Sequence, residues 1–523
     1  MKPSWVKWRV IVPLFIFAFT MMLGDNLYPG ALLQVLEDVI CDDYYRRDAQ
    51  RQPLPPDSNT TTSSLVLSLA TGDCKVQPVQ AELAFVRGFQ QMAPVFAGLL
   101  CTVPYGMLTE RIGRKRVLVL SGAGVFASLS WVLAVCYWRF LPIRWVWLSG
   151  AFLFIGGGDA VTSSVVHVMV TDATNHAERA QIFLYLHAAD VIAGFFGPAI
   201  SAPLMEGGHA WPVLLMADIV LFTGAFLLTR AIPETLHLKD DSSNGYRDET
   251  SEPVLSPQTT VPSSPTRSAS PSSATPRKST EANHATIHGL LASLLSVLTS
   301  NRQALLLLCI FAPQTGAREL FNMIGLQYSN AKYSLPYAQG NVFISFFQAA
   351  QGLFVLVLLP VITRVIADPR GWTAWKRDRL YTILSIAATA AGLMAIAVAP
   401  TLVVVAAGLL LVALGSCTTG MLISLLGRTV RPDQVSAVYS LALTLSIVVR
   451  SLMGPVVNGL LVKGLELGWY WIGLPFGAMA VLMLEPKLDG LSNESSVSRW
   501  LSIDKMTEFT VLANANMYFM AMY

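Results

Sequence analysis

Long, nearly charge-free apolar runs alternate with short polar turns along most of this chain. The runs fall at 10–33, 85–109, 117–138, 145–170, 181–204, 211–231, 303–328, 342–366, 380–398, 402–426, 435–462 and 469–484. At a helical rise of about 1.5 Å, about 20 apolar residues cross a hydrocarbon core about 30 Å thick. The pattern predicts an all-α membrane protein with 12 transmembrane helices, spans 1 to 12, in two pseudosymmetric six-helix bundles. Span 12 is the shortest: Glu485-Pro486 end it after about 16 residues, roughly 24 Å of helix. Either the bilayer thins around a short helix, or the 3′ end of the reading frame comes from the wrong exon.

The polar stretches set the organisation. Residues 1–231 form an N-terminal bundle that includes an outer loop at 37–84, and 303–484 form a C-terminal bundle. Between them, 232–302 is rich in Ser, Thr and Pro, lacks apolar periodicity and reads as a disordered cytoplasmic linker. Residues 485–523 form a cytoplasmic tail. Lys2, Lys7 and Arg9 precede span 1 and hold the N-terminus inside. The length of span 1, its Pro13 and the missing A-x-A site mark it as a retained helix rather than a signal peptide. Trp145, Trp147 and Trp211 mark the outer interface, and Asn59-Thr60-Thr61 in the outer loop is a glycosylation sequon.

Only 13% of the 523 residues are charged, against about 25% in soluble domains, and the mean hydropathy is +0.52. A net charge of +3 gives no sign of nucleic-acid binding. The chain has no G-x-x-x-x-G-K-[ST], H-E-x-x-H or G-x-S-x-G and no metal-ligand spacing, so neither an ATP engine, a cofactor nor an enzyme is indicated. Cys101, Cys136, Cys309 and Cys417 lie in spans and read as small packing residues, whereas Cys41 and Cys74 share the outer loop and can pair there.

Between spans 2 and 3 the chain reads G-M-L-T-E-R-I-G-R-K-R-V-L, residues 106–118. Gly106, Leu108, Glu110, Arg111, Gly113, Arg114, Lys115, Arg116 and Leu118 make a turn whose charge places it in the cytoplasm. Gly113 permits a positive φ, and Gly106 is expected to allow a close helix approach. The pattern resembles the loop 2–3 motif of the major facilitator superfamily, with Glu110 where the family usually has Asp. The resemblance implies a gating charge relay to the cytoplasmic end of span 11. Lys376-Arg377-Asp378-Arg379 repeats a basic turn at the equivalent place in the second half.

Span 5 carries Gly194, Gly197 and Pro198 in a relaxed form of the superfamily's antiporter motif, expected to bring spans 2 and 5 together. Ile232-Pro233-Glu234-Thr235-Leu236 and Trp471–Phe476 resemble fungal members. Cys41-Asp42-Asp43-Tyr44-Tyr45 is distantly similar to the proton-coupled folate transporter group. Span 4 has Gly156-Gly157-Gly158-Asp159 but no Arg, so the arginine mechanism of drug/proton antiporters does not carry over.

A charge within the membrane costs about 2.5–3.5 kcal/mol on insertion scales, so each retained one invites a function. The candidates for transport and proton coupling are Asp25, Asp159, Asp190, Arg318, Glu319 and Arg450. Counting along the spans puts Asp25, Arg318, Glu319 and Arg450 in one outer layer, with Asp159 and Asp190 nearer the middle and Asp218 nearer the surface. One carboxylate among Asp25, Asp159, Asp190 and Glu319 is expected to load and unload a proton as a cavity alternates. Alternatively, Arg318 and Arg450 neutralise two acids as structural ion pairs. The resemblance implies a monomeric carrier in the lipid bilayer, exporting a small-molecule substrate such as a secondary metabolite, toxin or drug against protons. The plasma membrane is its first expected location and the vacuolar membrane its second. Proton-coupled import of a nutrient is the alternative, and a transport-dead sensor or scaffold is the reading from another class.

Overall fold

A computed structural model describes residues 4–51, 74–174, 176–236, 302–367, 369–430 and 435–484. Among these residues the elements are all helices. The sequon at Asn59, the linker from 237 onward and the tail from 485 lie outside them. Ten helical stretches are long and apolar enough to cross a membrane. Two more complete the twelve spans. These are α10 (Arg302–Tyr333), long but more polar, and α17 (Leu474–Leu484), short but apolar.

Span 1 runs further than its apolar pattern. Helix α1 (Ser4–Leu27) is followed, after Tyr28, by α2 (Pro29–Arg51), so the polar segment from Glu37 to Arg51 is helical rather than loop. Span 2 likewise starts early, as α3 (Gln77–Ile112). The expected outer loop is thereby shortened from both sides. A disulfide between Cys41 and Cys74 ties α2 to the segment entering α3. That covalent tie, together with the Gln80 amide bonded to the Glu37 carboxyl and to the Cys74 carbonyl (3.2 Å), holds polar helix where hydrophobicity alone gives no signal.

Span 3 is α4 (Arg114–Trp138). Span 4, expected as one helix, is broken. A 3-10 turn (Ile143–Leu148) and α5 (Ser149–Leu153) precede α6 (Gly158–Ala173). The break is made by Gly156, Gly157 and Gly158 at φ +99°, +81° and +60°, a region closed to most side chains. In hydrocarbon the freed backbone groups need internal partners. The Tyr105 hydroxyl of α3 supplies one, donating to the Phe154 carbonyl at 3.0 Å and accepting from the Gly156 amide at 2.9 Å. On α4, Gly124 leaves room for the Phe152 and Ile155 carbonyls. Span 5 is α7 (His176–Met205). Span 6 begins with α8 (Ala210–Phe222) and ends, after a wider turn, with α9 (Thr229–Ala231).

In the second half, span 8 begins with α11 (Tyr337–Leu353) and continues through α12 (Leu359–Ile362), and span 9 is α13 (Ala374–Val398). Span 10 is α14 (Leu402–Leu414), a 3-10 turn at Gly415–Cys417 and α15 (Thr418–Thr429); span 11 is α16 (Val435–Leu467). Span 10 is therefore interrupted at the place corresponding to the break in span 4. Its turn lies on α13, with Gly415 against Ser385 and Thr389 and the Ser385 hydroxyl 2.9 Å from Cys417 Sγ.

The chain forms two compact units. Unit 1 comprises Met1–Pro29, Ala93–Gly197 and Trp211–Ser300, and unit 2 comprises Gly30–Met92, Pro198–Ala210 and Asn301–Tyr523. Within unit 2, spans 2 and 5 are joined by amides to second-half helices. Gln327 donates to the Gln80 carbonyl (2.8 Å), Gln91 to the Met323 carbonyl (2.8 Å), and Asn458 to Gln91 (3.1 Å). Asn341 reaches Ser201 at 3.1 Å. Gly88 of α3 and Gly454 of α16 let the two backbones touch: a Cβ on Gly454 would stand 2.7 Å from the Gly88 carbonyl. Gly454→Val should therefore push α3 and α16 apart. An Asn458→Cys reporter, buried in the parent protein, should then become reactive to a membrane-impermeant maleimide, and unchanged labelling would refute the close packing.

Candidate functional site

The turn between α3 and α4 is built around one buried arginine. Gly113, at φ +103°, separates the two helices, and the Glu234 carboxylate sits where its side chain would be. Glu234 accepts from the backbone amides of Arg114 (2.9 Å) and Lys115 (3.1 Å), capping the exposed N–H groups at the start of α4. It also accepts from the amides of Thr235 and Leu236, which fixes the chain leaving span 6. Arg114 is only 2% exposed and pairs with Asp172, 8% exposed, near the end of α6 (Nε–Oδ2 3.3 Å). Thr109 accepts from its Nη1 at 2.9 Å, and the Thr235 hydroxyl donates to Asp172. Lys115 Nζ donates to the Arg230 carbonyl at 3.0 Å. The ends of four spans, 2, 3, 4 and 6, are thus locked into one network.

Unit 2 holds a counterpart with the charges exchanged. Asp378, 2% exposed near the start of α13, accepts from Ser424 of α15 at 2.7 Å and lies 3.7 Å from Arg428 at the end of α15. Arg377 pairs with its other oxygen at 3.0 Å. The first half puts the cation at the start of span 3 and the anion at the end of span 4; the second half puts the anion at the start of span 9 and the cation at the end of span 10.

Deeper in unit 1, the carboxyls of Asp25 (α1) and Asp159 (first turn of α6) lie close together, and Asp190 (α7) is close enough to act on Asp25 electrostatically. Asp25 is half-buried, whereas Asp159 and Asp190 are exposed. The span 4 break makes this possible, because it starts a new helix at Gly158 and sets Asp159 at its N-terminal end, where the helix dipole favours negative charge. The layering read from the sequence did not give this contact, since it set Asp25 and Asp159 at different depths. Counting along straight helices cannot anticipate a break.

Other expected positions fare unevenly. Glu319 accepts from Asn322 at 3.0 Å. Within unit 2, Arg318 and Arg450 make no ion pair among the described residues. Asp218 accepts from Ser130 at 3.0 Å. Gly106 faces open space, so it serves no close approach. In the Gly194, Gly197 and Pro198 motif, all three are buried, and Gly197 presses on Asn26 of α1, so the approach seen there is between spans 5 and 1 rather than 5 and 2. The expected relay of Glu110, Arg111 and Arg116 to the start of span 11 falls partly on 431–434, outside the described residues. Of the cysteines read as packing residues, Cys101, Cys136 and Cys417 are buried, but Cys309 is exposed. Sequence reasoning missed Thr109, Tyr105, Asp172 and the capping role of Glu234. Only the last had a signal, its place in the P-E-T-L after span 6.

The family model of the Major Facilitator Superfamily matches residues 14–453. The chain is 26% identical to the MFS efflux pump atnC of Emericella nidulans, covering 87% of this chain and 82% of that protein. It is 26% identical to the MFS-type transporter avaK of Aspergillus versicolor, covering 86% and 85%. Among solved structures, a point mutant of the nucleoside transporter NupG superposes with a TM-score of 0.60 at 12% identity, over 92% of this chain and 99% of that one. A bacterial homolog of the human lysosomal transporter Spinster gives 0.55 at 13%, over 94% and 97%.

The buried pair makes a stability prediction. Asp172→Asn leaves Arg114 buried without a counter-charge, expected to cost about 3–5 kcal/mol and to lower the thermal midpoint of the purified protein. The exchange Arg114→Asp with Asp172→Arg, which copies the sense of Asp378 and Arg428, should recover most of that loss. A midpoint unmoved by Asp172→Asn would refute the role of the pair.

Proposed function

Because the chain belongs to the major facilitator superfamily, a family of membrane transporters and not of enzymes, we propose that it exports a small organic molecule, a secondary metabolite or toxin, against a flow of protons. The direction draws support from the curated relatives, among them the efflux pumps atnC and, over 40% of this chain, ustT of Aspergillus flavus. The proton step rests on one observation: the close approach of the Asp25 and Asp159 carboxyls. Two like charges brought together in this way repel, so the approach is favourable only while one carboxyl keeps a proton. Losing that proton drives the two groups apart. Asp159 stands on the first turn of α6, and the other end of α6 carries Asp172 of the Arg114 network.

A coupling route follows from this chain of contacts. Protonation of the Asp25–Asp159 pair lets α1 and α6 close together; deprotonation moves α6, hinged at Gly156–Gly158, and loads or releases the Arg114–Asp172 latch. The same glycines let the half-helix swing without breaking further backbone bonds. The cargo is exchanged while one side is open, in the alternating access that the superfamily fold supports. The plasma membrane is the proposed site of action.

Comparing the culture medium and cell contents with and without the gene identifies the cargo, and proteoliposomes with an imposed pH gradient then test the mechanism. Asp25→Asn and Asp159→Asn should each reduce gradient-driven flux by about tenfold or more while sparing exchange in the absence of a gradient. Glu319→Gln, whose carboxyl is already engaged by Asn322, should keep its gradient-driven flux. Full flux in both aspartate variants refutes the proton site, and accumulation along the proton flow rather than against it refutes export.

A further inference from the structure

Helices α10 and α11 of unit 2 meet along a seam whose polar groups are unsatisfied. Only residues 334–336 connect the two helices, so they run antiparallel. Their register is fixed by two contacts. A Cβ on Gly340 would stand 2.7 Å from Leu326, and the rings of Phe321 and Phe347 meet edge to face at 6.0 Å. Continuing that register one helical turn away from the connection brings residue 318 opposite residue 351. Arg318 is three residues before Phe321 and Gln351 four after Phe347, so each lies on the same helical face as its seam aromatic. By the same register Asn322 stands opposite Ser345. Along this seam Arg318 Nε, Asn322 Oδ1, Ser345 Oγ and Gln351 Nε2 are all buried without a hydrogen-bond partner among the described residues.

Native interiors leave few such groups, and each one calls for an explanation. Here three of the four can donate, and one belongs to a permanent cation with no ion-pair partner among the described residues of unit 2. Glu319, the acid beside it, is taken up by Asn322 Nδ2. Arg450 of α16, the helix that packs on α10 through Gly316 and Met453, adds a second unpaired cation among the described residues. A guanidinium in a span is costly unless an anion joins it, and its planar fork matches a carboxylate.

We propose that the transported molecule carries an acidic group, a carboxylate or an acidic phenol, and that this seam receives it. Arg318 pairs with the charge and Gln351 Nε2 donates to an oxygen of the same group, while the buried Phe321–Phe347 contact holds the two donors in register. The proposal deepens the export reading by naming the chemistry of the cargo, but it does not depend on where the proton binds. Full gradient-driven flux in the Asp25→Asn and Asp159→Asn variants, with carboxylate binding intact, would tell against the proton step alone.

The test uses the purified full-length chain in detergent and two probes of one shape, 1-naphthoate and the neutral 1-naphthamide. Binding is read as the concentration-dependent rise in thermal midpoint. Naphthoate should bind at least about tenfold more tightly than the amide. Arg318→Gln should erase that preference, Arg318→Lys should keep part of it, and Gln351→Leu should weaken naphthoate several-fold. The unliganded midpoints show whether each variant is folded; if Arg318→Gln is not, the Lys and Leu variants carry the test. Equal binding of the two probes, no stabilisation by either up to millimolar concentration, or a preference unchanged in the folded variants overturns the assignment.

Discussion

Every backbone amide and carbonyl that enters the hydrocarbon has to find a partner inside the protein, and the functional geometry here depends on how that demand is met where a helix is interrupted. Span 4 stops at Phe154 and restarts at Gly158, and a single hydroxyl, that of Tyr105, bonds both the last carbonyl before the gap and the Gly156 amide within it. Gly124 gives the loosened carbonyls room against α4. Without the interruption, Asp159 would lie mid-helix at a position set by straight geometry. With it, Asp159 heads a half-helix and reaches Asp25 on span 1. Span 10 is interrupted at the corresponding place by a milder 3-10 turn, sealed by Ser385 and Thr389.

At the span ends around Arg114 and Asp378 the same demand is met electrostatically. A buried charge is tolerable when it is paired and hydrogen-bonded, and which partner carries which sign matters little to that requirement. The two halves use this freedom. Arg114 and Asp172 in one occupy the places of Asp378 and Arg428 in the other, with the signs exchanged. What the duplicated architecture keeps is a pair bridging the start of one span and the end of the next. The halves differ in what surrounds it, since Glu234 adds a carboxylate cap to the first pair and Ser424 a hydroxyl to the second.

Most of the fold was legible because bilayer thickness imposes a length on each apolar run, and the basic turn at 111–116 imposes a side. The readings that failed depended on something other than hydrophobicity. The helix from Glu37 to Arg51 is polar and is held by a disulfide and by amides on distant parts of the chain. Gly106 looked like a packing glycine, yet it faces open space, while Gly124 and Gly454, which drew no notice, sit at backbone contacts. Glycine spacing says that a close approach is possible without saying which helix makes it.

The sequence by itself determined twelve spans and the short inventory of charges within them, because each of these follows from the cost of placing polar groups in lipid, and its loop motif pointed to the family. Which charges meet was decided by tertiary structure alone. Asp25 in span 1 joins Asp159 in span 4, and Arg114 finds Asp172 instead of a basic loop's usual solvent. Such partnerships depend on where a helix breaks and on which glycine admits a neighbour. Those are properties of packed surfaces, to which the one-dimensional pattern of apolar and polar residues is blind.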